Sequence, residues 1–163
     1  MRIDFMIKIM SLAFAAILLG VAGYSAAQDK PADNMEILRD KIRADKKLLV
    51  GLNMELTESQ AKSFWPIYEQ YQKDLQNINR RMVKVLEGYA DDYRNKSLTD
   101  DKAKKLIDEA LAIDKAEADL KSAYAPKLAK VLPAIKVARY LQIENKIRAV
   151  VKYDIASGVP LVQ

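Results

Sequence analysis

Histidine and cysteine are both absent from the 163 residues, so the commonest general base and the commonest transition-metal ligands are missing together. Zinc binding and most hydrolase chemistry lose their usual residues. Carboxylates, lysine, arginine and tyrosine are what remain. The pairs Asp91/Asp92 and Asp100/Asp101 have the spacing for weak calcium binding, but acids in a loop or at a helix start ordinarily serve turns and helix dipoles. Glu117 falls inside an apolar stripe with Lys121 and Tyr124 near it in sequence, and a carboxylate-based enzyme would need a closed pocket there. Long helices in two layers offer little concavity for a small substrate, so no catalytic residue, metal or cofactor is expected.

Binding chemistry is better supplied. Phe64, Trp65, Ile67, Tyr68 and Tyr71 place five large apolar groups in eight positions, more than one narrow seam buries, and some are expected to face a partner. Arg80, Arg81, Lys84, Lys127, Lys130, Lys136 and Arg139 are the candidates for a basic part of that surface, although a solvated helix face accounts for any one of them singly.

The elements that must position these groups are helices. Residues 1–27 read as a cleaved signal peptide: Arg2 and Lys8 at the start, an apolar run from Ile9 to Val21 interrupted by Ser11 and Gly20, then small residues ending at Ala27. That run is shorter than the roughly 20 residues a membrane span needs, so export to the periplasm is expected, not anchoring. Setting aside Arg2, Lys8 and Asp4 leaves 25 basic and 21 acidic residues after it. Without cysteine, stability has to come from helix packing or oligomerisation in a compartment that would permit disulfides. The glycines after residue 27 stand only at 51, 88 and 158, too few and too scattered for a phosphate loop.

Residues 28–33 read as a flexible lead-in and 34–155 as one helical domain, with an extended tail over 156–163. Met35, Leu38, Ile42 and Leu49 predict a short amphipathic helix over about 34–49, stopping near Gly51. A capping box follows in Leu56-Thr57-Glu58-Ser59-Gln60, where the side chains of Thr57 and Gln60 can each bond the other's backbone N–H. From there Ala61, Phe64, Tyr68, Tyr71, Leu75, Ile78, Met82, Val85 and Tyr89 alternate spacings of three and four, a coiled-coil-like stripe reaching about residue 92 with Pro66 bending it. Thr99 caps the next helix, whose stripe is Ala103, Leu106, Ala110, Ile113, Leu120, Tyr124 and Leu128. Glu117 interrupts that stripe and is expected to reach the edge or pair with a basic neighbour. Pro126 should kink or end this helix, and Pro133 opens a last one reaching about 152. The fold class is therefore all-α: a short helix, a long antiparallel hairpin and a C-terminal helix. Charge is uneven along it, with ten acidic and six basic residues from Glu87 to Asp119 and eight basic and two acidic from Leu120 to Gln163.

Leu56, Thr57 and Gln60 stand where the LTxxQ motif has its three named residues. On this motif, the signal peptide, the length and the order of helices, the chain resembles the periplasmic LTxxQ-motif family of Spy- and CpxP-like envelope stress proteins. That family normally carries the motif twice. The corresponding stretch here, Leu132-Pro133-Ala134-Ile135-Lys136, has proline for threonine and lysine for glutamine, so nothing that depends on a second copy is carried over. The resemblance implies a thin, curved, antiparallel homodimer whose concave face, apolar and basic, holds unfolding proteins without ATP. The implied partners are unfolded or misfolded envelope proteins. The alternative is a membrane sensor domain on which the protein docks to modulate signalling, and a membrane surface is a further candidate. Nucleic acid is not expected, since an exported chain does not meet it.

Overall fold

The computed structural model describes residues 45–162, so the signal peptide, the lead-in and most of the helix expected over 34–49 lie outside the described residues. The described residues form four helices, α1 Lys46–Met54, α2 Glu58–Asn95, α3 Asp100–Ala129 and α4 Ala134–Gly158, and no strand. The chain is all-α.

Helix α1 starts where Asp45 accepts a hydrogen bond from the Leu48 N–H at 2.9 Å, satisfying one of the orphan donors of the first turn. It does not stop at Gly51. It continues to Met54 and ends on Glu55 in the left-handed region, φ 47°, a conformation usually given to glycine or asparagine. The expected end therefore moves by one turn, because the helix closes on a non-glycine residue and keeps Gly51 in its interior.

The start of α2 is the capping box as read from the sequence. Thr57 Oγ1 accepts from the Gln60 N–H at 3.3 Å, and the Thr57 N–H donates to Gln60 Oε1 at 3.1 Å. From that point α2 runs 38 residues, roughly 57 Å at 1.5 Å per residue. Its buried row is Phe64, Tyr68, Tyr71, Leu75 and Ile78, resuming at Tyr89 and Ala90, while Met82 and Val85 of the expected stripe are only half-buried. Lys96, at φ 51°, reverses the chain, with the Ser97 N–H returning to the Asp92 carbonyl at 2.9 Å. Thr99 then accepts from the Lys102 N–H and opens α3. Pro126 does not end α3, which continues to Ala129. The Val131 and Leu132 N–H groups then return to the Leu128 carbonyl, and the Pro133 carbonyl takes the Lys136 and Val137 N–H groups as α4 begins. Helix α4 reaches Gly158, so the expected extended tail over 156–163 is shorter than the sequence implied.

The chain divides into two compact units, Thr57–Val137 and residues 45–56 with Ala138–Pro160. In the first, α2 and α3 pack as an antiparallel hairpin. Its rungs, from the turn outward, are Asp92 with Lys102, Arg81 with Glu109, and Tyr71 with Tyr124. Ile113, Tyr124 and Leu128 of α3 are buried. Each large apolar side chain removed from water this way contributes about 1.5–3 kcal/mol. In the second unit, Leu49, Val50 and Met54 of α1 are buried, as are Tyr140, Ile143, Ile147 and Val150 of α4. Two ion pairs tie α1 to α4 in antiparallel sense, Lys46 to Glu144 at 2.8 Å and Glu55 to Arg139 at 2.9 Å.

Candidate functional site

Three of the five large groups at the start of α2 are interior, so the expectation of facing a partner is corrected for those three. Phe64, Tyr68 and Tyr71 are buried; Trp65 and Ile67 are half-buried. The excess of large groups is absorbed by stacking. Trp65 meets Phe64 at 5.1 Å and Tyr68 at 5.2 Å, both edge-on, and Tyr71 meets Tyr124 of α3 edge-on at 5.3 Å. One helix therefore buries a wider arc than a narrow seam, because its rings cover one another.

The seven candidate cations have different surroundings. Arg80 is exposed and donates to Asn77, Arg81 pairs with Glu109 at 2.8 Å, and Lys127 sits 4.0 Å from the centre of the Tyr124 ring. Lys130 is exposed and Lys136 half-buried, while Arg139 pairs with Glu55 in the other unit. Arg81 and Lys84 are brought together. They line an open groove of about 330 Å³ between α2 and α3 near the turn. Val85 and Leu106 make its apolar floor beside Gly88, and Lys102 and Lys105 face across from α3. Asp92 and Glu109 are its two acids, and both are held as carboxylates: hydrogen bonds from Lys102 and Ser97 lower Asp92, and the bond from Arg81 lowers Glu109. Lys102 and Lys105 were not singled out from sequence. The missed signal was register, since a turn at 96–99 sets the residues around 84–88 opposite those around 102–109.

Tyr124 and Asp74 form a shifted pair. The Tyr124 hydroxyl donates to Asp74 Oδ2 at 2.6 Å. Burial, then this bond, pushes the phenol up to about 12, and the same bond holds Asp74 below its ordinary value. Both groups are thereby moved away from neutrality, opposite to the tuning a general acid or base requires. A group whose folded pKa is raised contributes stability present below its unfolded value and lost above it. Stability should therefore fall as the pH rises from roughly 10, the ordinary tyrosine value, toward 12. Tyr124→Phe is expected to flatten this alkaline loss, leaving the part due to Tyr89, which burial also raises. Urea midpoints across that range, followed with tyrosinate absorbance, measure it; an unchanged slope in the variant would assign the loss elsewhere. Glu117 is 5% exposed, so of the two expectations for it, reaching the edge of the seam or pairing with a basic neighbour, the first does not hold.

What the sequence reading missed most clearly is a bare stripe on the outer face of α3. Ile107 and Leu111 are 59% and 63% exposed and lie one turn apart. Lys104 precedes Ile107 by three positions and Lys115 follows Leu111 by four, both exposed, so a lysine brackets the apolar pair on each side. Lys115 bonds Asp119 at 2.6 Å, an exposed pair of the kind that contributes little. The other unit has a smaller counterpart in Leu48 and Leu52 of α1, also more than half exposed. The spacing of four was legible, but the eye follows the stripe that is buried.

Among the described residues no three acidic side chains converge as metal ligands, and no helix is long and apolar enough to cross a membrane. No protein-family model, curated protein or solved structure matches the chain.

Proposed function

We propose that this protein is an ATP-independent holder of unfolded or misfolded proteins in the periplasm, acting by binding and not by catalysis. The observation that carries the reading is the stripe Lys104, Ile107, Leu111, Lys115, large apolar groups kept in water with cations one turn away on either side. Such a surface binds exposed apolar segments by area removed from water, without demanding a fixed sequence. The capping box at Thr57 and Gln60 supports kinship with the LTxxQ-motif proteins, and the expected signal peptide supports the compartment. A homodimer belongs to the same reading, since Leu48 and Leu52 are available to a second copy.

The test is suppression of light scattering by a chemically denatured protein, with the purified chain near stoichiometric ratio and no ATP. Suppression that weakens with salt is expected, because exposed charges are screened. Replacing Ile107 and Leu111 together with glutamine should reduce suppression several-fold while stability changes by about 0.5 kcal/mol or less, as for other exposed positions. An absence of suppression by a folded, helical wild-type protein would sink the reading and point to one dedicated partner, such as a sensor domain. A saturable complex with a single membrane protein would be its signature.

A further inference from the structure

The groove between α2 and α3 has a charge imbalance that its own acids do not remove. Glu109 is occupied by Arg81 and Asp92 by Lys102 and Ser97. Lys84 and Lys105, one from each helix, are exposed, and neither forms an ion pair among the described residues. Two cations thus border an apolar floor of Val85 and Leu106 after the local acids have been taken.

Gly88 is the second observation. It lies within α2, where glycine destabilises a helix by about 1 kcal/mol relative to alanine. Its backbone is not in a left-handed conformation, and a Cβ built there would meet nothing within 4 Å. Neither packing nor turn geometry calls for glycine at this position. A side chain at this lining position would project into the open space of the groove.

We propose that this groove binds an acidic, apolar segment of a polypeptide, with a carboxylate drawn to Lys84 and Lys105 and a neighbouring aliphatic side chain laid over Val85 and Leu106 beside Gly88. The occupant needs both parts. A free anion would leave the floor wet, and a purely apolar segment would leave the lysines unanswered. The volume, about 330 Å³, lies at the small end of ligand sites and suits one or two side chains. The identification of the segment as part of a client rests on the holding function proposed above; the groove's preference for carboxylate beside aliphatic carbon does not.

The experiment is fluorescence anisotropy of the purified chain with two dye-labelled peptides, one alternating aspartate and leucine, the other alternating lysine and leucine. The aspartate peptide should bind more tightly and lose affinity as salt is added. Gly88→Leu should weaken it roughly tenfold, about 1.4 kcal/mol, by filling the groove, while the melting temperature holds or rises because glycine leaves the helix. The double variant Lys84→Glu/Lys105→Glu should weaken it at least as much. Equal binding of the two peptides, or an unchanged affinity in Gly88→Leu, overturns the proposal. Anionic vesicles that lose binding to Gly88→Leu while the peptide keeps it overturn it in favour of a lipid. Failure here is separable from failure of the holding function. Wild-type suppression of aggregation that survives Gly88→Leu together with unchanged peptide affinity leaves the holder standing and removes the groove. Peptide binding without suppression does the reverse.

Discussion

Phe64→Ala is expected to destabilise the protein by about 3–5 kcal/mol, the range for removing a large aromatic from a packed interior. Phe64 has no exposed surface, and its ring meets both Trp65 and Tyr68. Alanine therefore loses the transfer free energy of the ring and leaves a cavity beside two other rings that cannot collapse far into it. For a domain of this size the melting temperature should fall on the order of 10–20 °C, read from helical ellipticity on heating. Below both melting temperatures, suppression of aggregation should be nearly unchanged, because Phe64 does not meet solvent. The opposite pattern, a small thermal shift with lost suppression, would restore the aromatic group to the binding surface and would falsify the interior assignment. The exposed pair Ile107 and Leu111 should behave in the converse way, and comparing the two variants separates core from site.

Lys46→Met is the second large effect. Lys46 donates to Glu144 at 2.8 Å, and the side chains are 23% and 4% exposed. The carboxylate is thus almost out of water, and removing a cation beside it leaves desolvation that less attraction offsets. A loss of about 3 kcal/mol is expected, the low end for breaking a buried pair because Lys46 itself keeps some water. Adding Glu144→Gln should recover a good part of that loss, since a neutral amide is easier to bury than a carboxylate. Urea unfolding of the two single variants and the double closes the cycle. A Lys46→Met change within about 0.5 kcal/mol of wild type would mean that the pair behaves as a solvated one. The same substitution probes the second unit alone, because both residues belong to it.

Features set by neighbours along the chain were legible in advance. The box at Thr57 and Gln60 and the cap at Thr99 are contests between a side chain and a backbone donor three residues away, decided within one turn. The long stripe of α2 was equally readable, because a period of three and four residues has only one meaning over so many turns. Helix ends were less so. Glu55 and Lys96 take left-handed conformations that the sequence does not advertise, while the glycine that does advertise one, Gly51, stays inside α1.

By itself, then, the order of residues determined the all-helical class, the hairpin and the absence of histidine and cysteine chemistry, since composition and local periodicity suffice for these. Tertiary structure decided which groups are available. Five large apolar residues from Phe64 to Tyr71 were counted correctly, but a count does not say how much area the rings take from one another or the facing helix covers. Seven cations were likewise named, yet pairing across the antiparallel register neutralised Arg81 and set Lys84 in the same groove as Lys105, while Lys127 lies over the Tyr124 ring of its own helix. Ile107 and Leu111, unremarkable in sequence, became the exposed stripe because α3 turns its other face to α2. Burial and charge pairing are properties of residues far apart in the chain, and only the folded hairpin brings those residues to one place.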